Sequence, residues 1–316
     1  MRCRPIGSLR VSTIGLGCNN FGMRLDASET AVVVHKAIDV GITLFDTAES
    51  YGPSQEYLGK ALGKRRKDVV IATKFGNRGT GAHRANILRA VEDSLRALKT
   101  DYIDRYQQHR PDPLTPVEQT LEALETLRQQ GKVREVGFSN FTREMLEEAH
   151  KAQGAATEAA YTSPPGRVGR EGVAHFASVQ NEYSLLHREP ETDGVLEFCA
   201  KNGVALLPYF PLANGMLTGK YRKGEPKPPG TRITELEYFK DSWSPERLER
   251  LERLIPFAES RGKTILELAF GYLLARNEVA SVIAGATSVA QVVANAGAGG
   301  WVLSEEDILE VRDRLS

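Results

Sequence analysis

Residues 69–74 read Val-Val-Ile-Ala-Thr-Lys, an apolar, largely β-branched run that stops on a lysine. A short continuous apolar run suits a strand buried on both faces, the kind found in parallel sheets. The form recurs along the chain. Ile14-Gly-Leu-Gly17 and Thr43-Leu-Phe-Asp46 precede it, and residues 102–109, ending on His109, follow it. Further runs end at Ser139 (from Val136), Gln180 (from Phe176), Tyr209 (from Val204) and Gly285 (from Ser281). Successive ends lie 28 to 41 residues apart, except the last, which comes after 76. A strand, a helix and a return strand take about 30 residues, so most steps hold one helix.

The intervening segments carry helical spacing. Residues 31–40 place Val33, Val34, Ala37 and Ile38 on one face, with Gly41 as a stop. Residues 86–98 repeat the pattern with Ile87, Val91, Leu95 and Leu98, and Thr115-Pro116 opens a third helix whose inward stripe is Leu121, Leu124 and Leu127. Later helices are predicted over residues 142–152, 193–202, 264–276 and 288–296. Eight strands, each followed by a helix, predict one closed parallel (β/α)8 barrel spanning residues 1–316, with a doubly wound open sheet as the alternative. Two stretches break the rhythm. Residues 155–172 are rich in Ala, Gly, Thr and Pro, and residues 220–241 contain Pro226, Pro228, Pro229 and Gly230, before an extra charged helix over residues 245–261. Loops this long in a compact fold are commonly functional.

Composition narrows the function classes. The 316 residues carry 41 Lys plus Arg against 41 Asp plus Glu, so no net charge marks a nucleic-acid binder. The basic knot Lys64-Arg65-Arg66-Lys67 reads as a solvated turn. Cys3, Cys18 and Cys199 are too few and too scattered for a disulfide framework or a zinc site. No apolar run approaches the ~20 residues of a membrane span, and residues 1–5 lack the apolar core of a signal peptide. A cytoplasmic enzyme that meets neither nucleic acid nor membrane is expected.

Barrels of this kind do chemistry at the C-terminal ends of their strands. Here those ends carry Asn19, Asp46, Lys74, His109, Ser139-Asn140, Gln180-Asn181 and Tyr209. Capping of the next helix accounts for Ser139 or Asn140 as well as function does. It does not account for Lys74 or His109, which arrive with Asp46 at the ends of successive strands.

Phe45-Asp46-Thr47-Ala48-Glu49-Ser50-Tyr51-Gly52, then Lys74, then His109-Arg110-Pro111-Asp112, resembles the catalytic pattern of the aldo-keto reductases. Gly137-Phe138-Ser139-Asn140, Gln180-Asn181-Glu182-Tyr183, Tyr209-Phe210-Pro211-Leu212, Leu217-Thr218-Gly219-Lys220-Tyr221 and Gly285-Ala286-Thr287-Ser288 with Gln291 and Asn295 are similar to that superfamily as well. The style is that of its bacterial and channel β-subunit-like branches. The resemblance implies a barrel with a short N-terminal β-hairpin and extra C-terminal helices, which binds NADP(H) and reduces carbonyls without a metal.

It also implies roles. Tyr51 would be the general acid, Lys74 would lower its pKa, Asp46 would pair with Lys74, and His109 would orient the substrate oxygen. Ser139, Asn140 and Gln180 would bind the nicotinamide carboxamide, beside Asn19 and Asp46, and Tyr209 would stack on the ring. Pro211, Leu212, Gly215, Leu217 and Lys220 would line the pyrophosphate under the loop carrying Arg232. Gly285, Thr287, Gln291 and Asn295 would hold the adenosine end. No Gly-x-Gly-x-x-Gly follows Gly15-Leu16-Gly17, which counts against a Rossmann dehydrogenase.

Departures from the family pattern bear on specificity. Gly285 and Gln291 stand where many relatives carry a Lys and an Arg for the 2′-phosphate, with Lys220 and Arg232 as compensating cations, and Ala294 replaces a common Glu. NADPH preference is expected, with NADH as a possible second cofactor. Alternation puts Arg105 and Gln107 on the face of His109, where the family usually has an apolar residue at the Arg105 position. A polar barrel interior, a buried ion pair and an outward face each fit. The competing function is an NADP(H)-binding regulatory module resembling potassium-channel β-subunits, a branch that tends to carry Asn in place of His109. Substrate classes consistent with the resemblance are small aldehydes, dicarbonyls and keto sugars. Loops 21–26, 111–113, 155–172 and 223–241 are expected to wall the substrate pocket.

Overall fold

The computed structural model describes residues 1–77, 81–154 and 173–315. It opens on an antiparallel hairpin of β1 (Cys3–Ile6) and β2 (Leu9–Ser12). Gly7 turns this hairpin at φ +56, where a Cβ would also collide with the Glu135 carboxylate at 2.5 Å. Eight parallel strands follow: β3 (Ile14–Gly17), β4 (Leu44–Asp46), β5 (Val70–Phe75), β6 (Ile103–Gln108), β7 (Val133–Ser139), β8 (Phe176–Gln180), β9 (Ala205–Leu206) and β10 (Val282–Gly285). They pair in chain order, with β10 returning beside β3. A parallel bridge between Leu206 and Val279 joins the two ends of the sheet, so the barrel closes.

Helices pack outside it: α1 (Ala27–Asp39), α2 (Ser54–Leu62), α3 (Arg84–Leu98), α4 (Val117–Gln129), α5 (Arg143–Ala152) and α6 (Val195–Asn202). After β9 come the short α7 (Arg232–Glu235), then α8 (Pro245–Ser260), α9 (Ile265–Leu274), α10 (Val289–Ala298) and α11 (Glu305–Leu315). The spacing-based helices fall within a few residues of these. β9 is shorter than the run from Val204 to Tyr209 predicts, because Pro208 offers no N–H to a ladder. Tyr209 is still held at the rim by an isolated bridge to Glu182.

Most apolar side chains lie between sheet and helices, where Phe138 stacks on Phe141, Phe176 stacks on Phe198, and Phe138 meets Phe176 edge-on. A smaller apolar cluster, with Leu44, Ala72, Leu207 and Ile283, joins the hairpin residues Ile6, Leu9 and Val11. The hairpin thus plugs the N-terminal end and leaves the C-terminal end open for a site. The basic knot forms a 3₁₀ turn over Gly63–Asp68, with Lys64 and Lys67 exposed and Arg66 paired to Asp104 at 2.8 Å. The expected loop over residues 155–172 lies outside the described residues. No described helix is long and apolar enough to cross a membrane.

Candidate active site

Three adjacent strands bring the expected carboxylate, ammonium and imidazole together. Asp46 ends β4, Lys74 lies near the end of β5, and His109 follows β6, its N–H bonded to the Phe75 carbonyl at 2.7 Å. The Lys74 ammonium is buried and donates to the Asp46 carboxylate and, at 2.9 Å, to the Thr47 carbonyl. Its third neighbour is the Tyr51 hydroxyl at 3.5 Å. The Tyr51 ring sits edge-on to His109 with centroids 5.7 Å apart.

The second carboxylate oxygen of Asp46 accepts from Gln180 Nε2 at 2.9 Å and, more weakly, from Gln107 Nε2 at 3.4 Å. Gln107 also donates to Gln180 Oε1 at 3.2 Å, so the three side chains form one buried network. Beside it, Ser139 Oγ donates to the Gln180 carbonyl at 2.9 Å. Asn140 adopts φ +62 and donates to the His109 carbonyl at 2.9 Å, while its Oδ1 accepts from the Tyr209 hydroxyl at 2.7 Å. Neither caps α5. That duty falls to Thr142, whose hydroxyl accepts from the Met145 N–H. The capping alternative is therefore removed for both residues.

Electrostatics sort the groups. Burial disfavours the Lys74 ammonium, but the charges of Asp46 and Tyr51 and the hydrogen bond to Asp46 outweigh it and hold its pKa above the ordinary value. Burial likewise pushes the Tyr51 phenol up, and Lys74 only partly opposes this. This corrects the expectation of a lowered phenol: the ammonium is shared with Asp46 and Thr47, and loss of water costs the phenolate more than Lys74 returns. Burial, then Lys74 and Arg110, lower His109 to about 3, so its imidazole is neutral near pH 7.

A cleft of about 740 Å³ opens above these groups, a volume of the ligand-binding class. Asn19, Asp46, Tyr51, His109, Ser139, Asn140, Gln180 and Tyr209 line its inner part. Pro211, Leu212, Gly215, Lys220, Arg232, Gly285, Thr287, Gln291 and Asn295 line the rest. Two expected residues are not on its wall. Lys74 lies behind Tyr51 and Asp46, and the Leu217 side chain is fully buried in the core. Sequence reading missed Arg24, whose guanidinium donates to the Gly230 carbonyl at 2.8 Å and Glu235 at 2.9 Å. Arg232 donates to Asn20 at 3.0 Å from the other side. Only the position of Arg24 in a loop expected to wall the pocket hinted at it.

The donor set fits a dinucleotide. Gly215 at φ +101 and Gly285 keep the wall clear, since a Cβ at Gly285 would stand 3.1 Å from Asn20. Asn214 presents a buried Oδ1 with no partner among the described residues. Three cations, Arg24, Lys220 and Arg232, share the cleft with a fourth, Arg110, which follows His109. Among the described residues no group of His, Cys, Asp or Glu is arranged to hold a metal ion.

The aldo/keto reductase family model matches residues 13–315. An aldo-keto reductase of Bacillus subtilis, YhdN, is 32% identical, with 97% of this chain and 91% of that protein aligned. A probable voltage-gated potassium channel subunit beta of Arabidopsis thaliana is 33% identical over 91% of this chain and 87% of its own. Among solved structures, the holo form of aldo-keto reductase AKR11C1 from Bacillus halodurans superposes with a TM-score of 0.77 at 31% identity, covering 99% of this chain and 96% of that one.

Proposed function

This chain belongs to the aldo/keto reductase family, and from that premise we propose that it reduces an aldehyde or ketone to the alcohol, with NADP(H) as cofactor and Tyr51 as general acid. The Tyr51 hydroxyl opens on the cleft 3.5 Å from a buried ammonium, and that observation carries the reading. When bound, the reduced nicotinamide supplies the hydride. The chain's own residues bind, orient and protonate.

Ser139, Asn140 and Gln180, with Asn19 and Tyr209, would hold the nicotinamide end. Pro211, Leu212, Gly215, Lys220 and Arg232 would meet the pyrophosphate, with Leu217 packed in the core behind them, and Gly285, Thr287, Gln291 and Asn295 would meet the adenosine. Reduction of the carbonyl carbon leaves negative charge on oxygen, which needs a proton or a hydrogen-bonded hole. Tyr51 gives that oxygen its phenolic proton. The Lys74 ammonium then stabilises the phenolate, and Asp46 keeps Lys74 in place. Neutral His109 donates a ring N–H to the substrate oxygen and aims it at Tyr51.

The likeness to a channel β-subunit supports a second reading, a cofactor-binding module that acts on a partner protein. His109 on the cleft wall beside Tyr51 favours catalysis. Purified protein is incubated with NADPH and a panel of aldehydes and ketones, and the cofactor's near-ultraviolet absorbance is followed. Turnover is expected, and Tyr51→Phe should bind NADPH as the wild type does but turn over at least about 100-fold more slowly. Cofactor binding without consumption of any carbonyl supports the module. Near-normal turnover in Tyr51→Phe removes Tyr51 from the role.

A further inference from the structure

Below Asp46 the barrel holds a second cation that the proposed chemistry leaves unused. Arg105 on β6 is fully buried and points inward, next to Ala72 on β5 and close to Gly137 on β7. Small neighbours make the room. A Cβ at Gly137 would lie 2.9 Å from Arg105 Nη2, and a register shift in the β7–β8 pairing brings Ser178 round to accept from Arg105 Nε at 2.6 Å. The other two guanidinium nitrogens have no hydrogen-bond partner among the described residues. A buried guanidinium with both terminal NH2 groups idle is costly and acts on its surroundings through its field.

Among the described residues the most buried charged side chains are Asp46, Lys74, Asp104 and Arg105. Asp104 faces away, toward Arg66 and Arg134. The barrel interior therefore holds two cations and one carboxylate; burial lowers the Arg105 pKa, and the charge of Asp46 opposes that without cancelling it. A Lys–Asp pair alone is a dipole, whose field on a neighbour falls off quickly. A third charge turns it into a net cation.

We propose that Arg105 is a positioning residue for carbonyl reduction: one layer below Lys74 and Gln107 in the barrel, it adds its charge to the Lys74–Asp46 pair and leaves net positive charge beneath the Tyr51 oxygen. The inference rests on the reductase reading above. Tyr51 is also faced by Cys18, His109 and Arg232, none of which changes in the test. A unit charge ~10 Å away at an effective dielectric of about 20 moves a titration by about one pH unit.

The test compares Arg105→Met and Arg105→Gln, which are neutral, with Arg105→Lys, which keeps the charge. Each is made with and without Tyr51→Phe, so that Tyr51 ionisation is read as the difference in phenolate absorbance on raising the pH. The alkaline limb of turnover is measured in parallel. The neutral variants should titrate Tyr51 about one pH unit higher than wild type and turn over about tenfold more slowly near pH 7, with NADPH affinity unchanged. Arg105→Lys should restore both readouts. The glutamine variant keeps a polar group beside Ser178 and serves where the methionine one does not fold. Coincident Tyr51 midpoints in the neutral variants and wild type overturn the inference, whatever the loss of activity, because a merely structural arginine leaves them unmoved. Absence of carbonyl turnover in the wild type strikes the reductase reading instead, and the Tyr51 midpoints still decide whether Arg105 acts on that oxygen.

Discussion

Gln180 donates its side-chain amide to Asp46 at 2.9 Å, so a residue expected to grip the cofactor is already committed to the carboxylate beneath it. Its Oε1 is taken by Gln107. Gln180 thus supports the charged network from below as well as facing the cleft. Replacing it with leucine removes a hydrogen bond to a buried charge, which costs about 1.5–3 kcal/mol. Urea unfolding should report that loss. A leucine variant as stable as wild type would mean that Gln107 or water takes over.

Lys74→Met leaves Asp46 buried without its cation. Breaking a buried pair on one side costs roughly 3–5 kcal/mol, well beyond the worth of an exposed pair. Turnover should fall by at least about 100-fold, because the Tyr51 phenolate loses its counter-charge. Denaturant midpoints and steady-state rates check the two effects separately. A variant that keeps its stability but loses activity would show that the Gln180 and Gln107 amides hold Asp46 without the cation.

His109 makes an acid-side prediction. Its pKa is lowered to about 3 in the fold, against 6.5 for an ordinary imidazole, so the unfolded chain binds the extra proton across that window. The fold's stability then falls as pH drops from about 6.5 toward 3 and is insensitive to this group above 6.5. His109→Gln should flatten that part of the stability profile. The wild-type rate should show no acid limb near 6.5 from His109, because its imidazole stays neutral there. An inflection at that pH which disappears in His109→Gln would contradict the neutral assignment.

Most strands were legible because buried parallel strands appear as short apolar runs, although β6 carries Asp104, Arg105, Gln107 and Gln108 and β9 stops short of Tyr209. Asp46, Lys74 and His109 then fell into one neighbourhood through topology, while Tyr51, in the loop after β4, was reached only through the resemblance. Ser139 and Asn140 could not be told from caps, since that depends on whose N–H the side chain accepts, and Thr142 proved to be the cap. Alternation placed Arg105 with Gln107 and His109 without saying which face looked inward. Burial settled it, together with the space left by Ala72 and Gly137. Leu217 lies in an irregular 3₁₀ stretch, Ala213–Thr218, where no period tells core from cleft. The sign of the Tyr51 shift needed the depth of burial, which spacing does not contain.

Glu191 anchors the wall remote from the cleft. Its Oε1 accepts the hydroxyls of Tyr183 and Tyr272, each at 2.8 Å, and its Oε2 faces Arg188, Arg276 and Arg312 at 3.3 to 3.5 Å. One nearly buried carboxylate thus ties the loop before α6 to α9 and α11. The arginines are partly exposed, so water softens the loss in Glu191→Gln to about 1–3 kcal/mol. Thermal unfolding should shift while turnover of the folded fraction stays as in wild type. A change in KM would mean that the clamp also shapes the cleft.

In the proposed binding mode cofactor choice falls to three cations that repel one another. Burial, then Arg24 and Arg232, lower the Lys220 pKa, and burial, then Arg24, lower that of Arg232. A cluster whose members weaken each other's charge is relieved by a bound anion. Gly285 and Gln291 offer no cation at the last strand, so in the proposed binding mode the cofactor's phosphates would meet these three. If the cluster reaches the 2′-phosphate, NADPH binds more tightly than NADH, and Lys220→Met removes most of that difference while leaving NADH affinity nearly intact. If it meets only the pyrophosphate, the same substitution weakens both cofactors alike. Fluorescence titration of both cofactors against wild type and variant separates the two outcomes. Tighter binding of NADH to the wild type would overturn the expected preference, since it would leave the cluster no phosphate of its own to select.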